Sequence, residues 1–133
     1  MNLAPVVIRQ LLATARQAQE RAYAPYSRFP VGAAVLGEDG RVFAGCNVEN
    51  ASFGLTVCAE RNALAAAVLA GARPVAVAIV GNHHDLLPCG ACRQVLSEFN
   101  PTLLVITQDA QGQPRCRTLV SLLPEAFLLE KRG

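Results

Sequence analysis

Residues 75–107 read VAVAIVGNHHDLLPCGACRQVLSEFNPTLLVIT, and the fold turns on this stretch. Val75–Val80 is an unbroken apolar run rich in β-branched residues and bounded by Pro74 and Gly81, which predicts a fully buried strand. Pro88-Cys89-Gly90 opens a helix that ends near Asn100-Pro101, and Leu103–Thr107 is a second apolar strand. Strand, helix and strand at this spacing predict a right-handed parallel crossover. Working outward toward the N-terminus, Cys58 to Ala70 is an alanine-rich helix stopped by Gly71 and apolar on nearly every side, so burial on all sides is expected. Before it, Val31–Leu36 and Arg41–Asn47 form a hairpin through Gly37-Glu38-Asp39-Gly40. Val7, Leu11, Ala15, Ala18 and Ala22 mark one face of an opening helix. Toward the C-terminus, Asp109–Gln113 is a polar turn and Cys116–Val120 a short last strand. The expected architecture is α/β, a three-layer α/β/α arrangement around a mixed five-stranded sheet, with residues 1–133 forming one domain.

Composition narrows the function classes. Apolar residues make up 52% of the chain and charged residues 17%, below the roughly 25% of an ordinary soluble domain, which either buried subunit contacts or a richly packed monomer would explain. A net charge of +2 without a basic run does not suit a protein that grips nucleic acid. The longest uncharged stretches, Asn62–Ala72 and Pro74–His84, fall short of the roughly 20 residues of a membrane span. Met1 to Val7 shows no signal peptide, and a cytoplasmic location is the expectation.

The five cysteines, Cys46, Cys58, Cys89, Cys92 and Cys116, are odd in number and unevenly spaced, which favours metal or catalytic use over a disulfide framework. Cys89 and Cys92 have the spacing that lets two thiolates hold one tetrahedral ion, and Cys58 precedes the other helix. Both groups sit at helix N-termini, where the dipole favours thiolate. Three thiolates leave a fourth position. Cys46 and Cys116 read as small buried hydrophobes, and the His83-His84 pair as solvated loop, so the fourth position is expected to take water, as at a catalytic zinc. Glu60 is alone an ordinary first-turn glutamate. Together with the cysteines it completes the string of a zinc deaminase, in which Cys or His is followed by x-Glu and later by Pro-Cys-x-x-Cys, and the Glu is not a ligand.

Over nearly its whole length the chain resembles the small, homotetrameric type of cytidine deaminase. APYSRFPVGAA at 24–34 is similar to that family's N-terminal signature, GCNVENA at 45–51 to its nucleoside-binding segment and PCGACRQ at 88–94 to its second zinc motif. The resemblance implies one Zn²⁺ per subunit on Cys58, Cys89 and Cys92, with Glu60 as proton carrier. It places Phe29 against the pyrimidine, Asn47 and Glu49 on ribose hydroxyl, the Ala59 N–H on the base carbonyl and Arg61 on the ligand thiolates. It implies a homotetramer in which Phe127 reaches a neighbour's pocket. The implied reaction is conversion of cytidine and deoxycytidine to uridine and deoxyuridine with release of ammonia, a step of pyrimidine salvage. The partner is thus a small nucleoside, with neither nucleic acid nor membrane. Phe53 stands where the family often has tyrosine, so that hydroxyl's contacts are missing. Three rivals remain at this stage: a deaminase of another small molecule such as blasticidin S, a nucleic-acid editing deaminase, and a binding module with structural zinc.

Overall fold

The computed structural model describes residues 2–131. Helix α1 (Pro5–Gln19) opens the chain with proline in its first turn, where the missing N–H costs nothing. Strands β1 (Val31–Gly37) and β2 (Val42–Cys46) form the expected hairpin. A single 3₁₀ turn at Phe53–Leu55 leads into α2 (Ala59–Leu69). Then come β3 (Pro74–Gly81), α3 (Gly90–Phe99), β4 (Leu104–Gln108), β5 (Pro114–Thr118) and a short α4 (Leu119–Leu122).

The strands form one sheet in the order β2-β1-β3-β4-β5. β3 and β4 are parallel and the other pairs antiparallel, so the crossover expected between residues 75 and 107 is present in a mixed five-stranded sheet. Period-two alternation sorts the strands' side chains into two cores. Ala33, Val35, Val77 and Ile79 pack with Ala63, Leu64 and Leu96 from α2 and α3. Ala34, Leu36, Ala76, Ala78 and Val80 pack instead with Leu11, Leu12 and Ala15 of α1. Helices therefore cover both faces, giving the three layers read from the sequence. Among the described residues no helix is long and apolar enough to cross a membrane.

Four expectations need correction. The opening helix ends at Gln19, so Ala22 lies beyond it. The last strand starts and stops two residues early, because Leu119 and Val120 turn into α4, where buried Leu119 joins the core. Cys46 is only half-buried and Cys116 exposed, since both lie on outer strands. Finally, α2 is not covered on all sides. Ala63, Leu64 and Ala67 are buried, whereas Val68 is half-exposed and Leu69 is 91% exposed. One sheet face can cover only one side of a helix, and the rest of α2 stands open with Phe99 of α3 beside it.

Candidate metal centre and active site

The strand register defines the end of the sheet that carries the chemistry. Val31 faces Gly81 and Gly32 faces Cys46, so the start of β1 and the ends of β2 and β3 meet there. Helix α3 begins just beyond β3, and α2 begins over β2. The close seat of α2 depends on Gly45, where a Cβ would lie 2.4 Å from the Ala63 nitrogen and 2.6 Å from the Ala59 oxygen. Asn62 fastens the same turn by donating from Nδ2 to the Cys46 carbonyl at 2.8 Å.

Cys58 is the N-cap of α2 and Cys89 the N-cap of α3, both in extended backbone, while Cys92 is buried in the first turn of α3. Their sulfurs lie within 4.8 Å of one another, with Cys58 Sγ and Cys89 Sγ 4.0 Å apart. Zinc–sulfur bonds of about 2.3 Å in tetrahedral directions demand sulfurs roughly 3.8 Å apart, so the donor set fits zinc. No other group of three or more His, Cys, Asp or Glu side chains with this proximity occurs among the described residues. Neither histidine joins the cluster; His83 Nδ1 sits 2.9 Å from the His84 carbonyl, and both rings are exposed.

The electrostatics of these groups follow from their crowding. Contact with Cys92, together with the Arg61 guanidinium, draws the Cys58 thiol down to about 5. The Cys92 thiol is pushed up by its hydrogen bond to Cys58, by burial and by Glu60. Arg61 donates from Nη2 to Cys58 Sγ at 3.4 Å, and the sulfurs raise its own value. Its Nε is buried without a hydrogen-bond partner. Glu60 is 5% exposed, and burial reinforced by the Cys58 charge raises its carboxyl to about 7. That is where a group passing protons in both directions near neutral pH should titrate.

A cavity of about 160 Å³ opens over this cluster, lined in part by Cys58, Ala59, Glu60, Cys89, Asn47 and Val31. Leu86 and Leu87 form another part of its wall. Sequence reasoning missed this pair, although two adjacent leucines in a loop immediately before a metal motif are a signal. Thr56, also missed, lines both this cavity and a neighbouring one of about 300 Å³ bounded by Tyr26, Ser27, Glu49 and Phe53.

The remaining candidates fall around these two hollows. Asn47 is buried and clamps the chain, accepting from the Val31 N–H at 2.9 Å and donating to the Phe29 carbonyl at 2.9 Å. Glu49 accepts from the Tyr26 and Ser27 N–H groups and from the Ser27 hydroxyl, which lowers its carboxyl. Phe29 is half-buried and does not line the cavity. Phe127 is 70% exposed on a tail tied to α3, where Gln94 Nε2 donates to its carbonyl at 2.6 Å, and it lines neither hollow. Tyr26 and Phe53 pack edge to face at 5.9 Å, which shows how an aromatic without a hydroxyl is accommodated at position 53.

Comparison with known proteins agrees with this geometry. The profile of the cytidine and deoxycytidylate deaminase zinc-binding region matches residues 6–108. A cytidine deaminase from Sporosarcina psychrophila is 45% identical over 126 residues, spanning 92% of this chain and 93% of the relative. One from Mycobacterium tuberculosis is 50% identical over 122 residues, 90% of this chain and 89% of its own. The crystal structure of a cytidine deaminase from Burkholderia pseudomallei superimposes with a TM-score of 0.84 at 52% identity, covering 90% of this chain and 98% of that one.

Proposed function

The chain belongs to the cytidine and deoxycytidylate deaminase family, and on that premise we propose that it hydrolyses the exocyclic amine of cytidine and deoxycytidine, yielding uridine or deoxyuridine and ammonia. The observation that carries this is the meeting of three cysteine sulfurs with a buried, proton-loving Glu60 at the wall of one cavity. A zinc ion on Cys58, Cys89 and Cys92 supplies the Lewis acidity that makes water a nucleophile near neutral pH. Glu60 takes the proton from the attacking water and delivers it to ring N3, which makes C4 electrophilic. After attack at C4, the same carboxyl carries the second water proton to the amine, and ammonia leaves.

The roles of the surrounding residues belong to the same proposal. Ala59 is the first residue of α2, so its N–H has no partner within the helix and is free for the base carbonyl. Asn47 retains one Nδ2 hydrogen for a ribose hydroxyl, and Glu49 faces the adjoining hollow with one acceptor site left. Phe29 lies against the pyrimidine. Residues 1–133 act as one domain, and the active form is a homotetramer in which Phe127 reaches a neighbour's pocket. Support for assembly comes from the apolar surface of Leu69, Val68 and Phe99 and from the exposed Phe127 ring. A cytoplasmic setting suits three ligand thiols that must stay reduced.

The test is a cytidine assay followed by the fall in ultraviolet absorbance, with and without a zinc chelator. Chelator-sensitive release of ammonia from cytidine and deoxycytidine is expected. No turnover of either nucleoside by zinc-loaded protein overturns the proposal and favours a structural zinc.

A further inference from the structure

The 82–89 segment joins β3 to α3 without helix or strand of its own, yet it supplies Leu86 and Leu87 to the cavity wall and Cys89 to the sulfur cluster. Something must fix its path. The structure puts Asp85 at the base of this segment with a backbone φ of 52°, a left-handed conformation whose cost in a non-glycine residue must be offset by its surroundings.

Those surroundings are four side-chain donors from β4 and β5. Arg117 grips the carboxylate as a fork, with Nη1 at 2.9 Å from Oδ1 and Nη2 at 2.9 Å from Oδ2. Thr107 Oγ1 donates to Oδ1 at 2.7 Å, and Arg115 Nη1 to Oδ2 at 3.0 Å. The Asp85 N–H also donates to the Gln108 carbonyl at 2.6 Å. Thr107 and Arg115 are cross-strand partners, and Arg117 is two residues further along β5 on the same face, so the sheet presents its donors as a rigid platform. Bidentate arginine–carboxylate geometry fixes orientation as well as distance. The Arg117 and Asp85 side chains are only 20% and 25% exposed, which spares this pair most of the screening that weakens the Arg73–Glu38 pair, 54% and 67% exposed.

We propose that Asp85 is a positioning residue for deamination, anchored by Arg117 so that the 82–89 segment holds the Leu86–Leu87 wall and Cys89 in register with α2. This rests on the deaminase reading. The wall meets the substrate before and during reaction alike, so loosening it weakens uniform binding and raises KM more than it lowers kcat. Loosening Cys89 speeds loss of zinc. A residue that served only the fold would lower thermal stability and the active fraction, leaving KM and the zinc-release rate of the folded holoenzyme unchanged.

The experiment uses zinc-loaded Asp85→Gly, Asp85→Asn and Arg117→Gln, with Arg73→Ala as a control on the exposed pair. Asp85→Gly relaxes the left-handed backbone while deleting the anchor, so it separates strain from anchoring. KM for cytidine is measured beside kcat, and zinc release is followed with a chromogenic chelator, a readout independent of turnover. Asp85→Gly and Arg117→Gln should raise KM about tenfold with kcat changed less than about threefold, and speed zinc release by a similar factor. Asp85→Asn keeps part of the acceptor set and should fall between them and the wild type. If Asp85→Gly matches wild type in both readouts, the segment keeps its path without the carboxylate anchor and the proposal is overturned. Should Asp85→Gly fail to fold, Arg117→Gln decides, and an unchanged KM and release rate there overturn it equally. Wild-type protein inactive on cytidine defeats the deaminase reading, whereas an active wild type with indifferent variants defeats only this one.

Discussion

Replacing Glu60 by glutamine should disable the enzyme and, in the metal-free protein at alkaline pH, stabilise it. The carboxyl is buried among apolar groups and beside the Cys58 sulfur, which raises it from 4.5 to about 7. The sign follows from which state binds the proton. Below pH 4.5 Glu60 is neutral in both the folded and unfolded chain and costs nothing. Between 4.5 and about 7 only the unfolded chain ionises, so folding stability falls as pH rises, and above 7 the loss is complete. A raised value of this size corresponds to about 3 kcal/mol, at about 1.4 kcal/mol per pH unit. Glutamine has the same shape without the charge, so the stability gap in favour of Glu60→Gln should be small at pH 4.5 and widen to about 3 kcal/mol at pH 8. Urea unfolding of both metal-free proteins across that range measures the gap directly. The zinc-loaded variant should meanwhile lose about 10²–10⁴-fold in kcat, because glutamine cannot shuttle protons. A gap that does not change with pH would refute the burial argument, and near wild-type turnover would refute the catalytic one.

The ligand assignment predicts that Cys89→Ala and Cys92→Ala lose zinc while Cys116→Ala keeps it, because Cys116 lies on β5 away from the cluster; metal analysis of the purified variants checks this. Gly45→Ala should lower stability by about 1–3 kcal/mol and reduce activity, since the added methyl meets the backbone of α2 at Ala63 and Ala59. Thermal melts that match wild type would contradict that close seat. Light scattering should return about four times the 14.1 kDa chain mass, and a fully active monomer would end the tetramer proposal.

The legible parts of the chain were those where one local rule acted alone. Val75–Val80 and Leu103–Thr107 could be read as strands because buried parallel strands are short and apolar throughout, and the crossover followed. The zinc cluster was legible because thiolate spacing and helix starts are both local. Helix α2 misled for the opposite reason: an all-round apolar pattern says that a helix is covered, but not whether its own chain does the covering. The sequence pattern likewise ran the last strand through Leu119 and Val120, where the core contact of Leu119 and the turn at Thr118 produce α4. The Asp85 network was invisible because it joins residues 85, 107, 115 and 117 through tertiary contact, with no motif to mark them.

Charge explains why the site is assembled from two helix starts and an arginine. Three thiolates around a divalent cation carry a net charge of −1, which by itself opposes loss of a proton from nearby water. The N-termini of α2 and α3 both point at the sulfurs, and each contributes partial positive charge there. Arg61 adds a full charge at 3.4 Å from Cys58 Sγ. Its Nε is left buried and unpaired, so the side chain is held in place by the sulfurs and not by a carboxylate partner. An acidic neighbour would have neutralised the guanidinium and returned the cluster to net negative charge. Glu60 is the single carboxylate at this wall, and without metal its burial and the Cys58 charge raise it to about 7, so its ionisation is opposed where an ordinary glutamate would be fully charged. The same crowding that makes the metal-free chain less stable at high pH supports the proposed role of Glu60 as a two-way proton carrier.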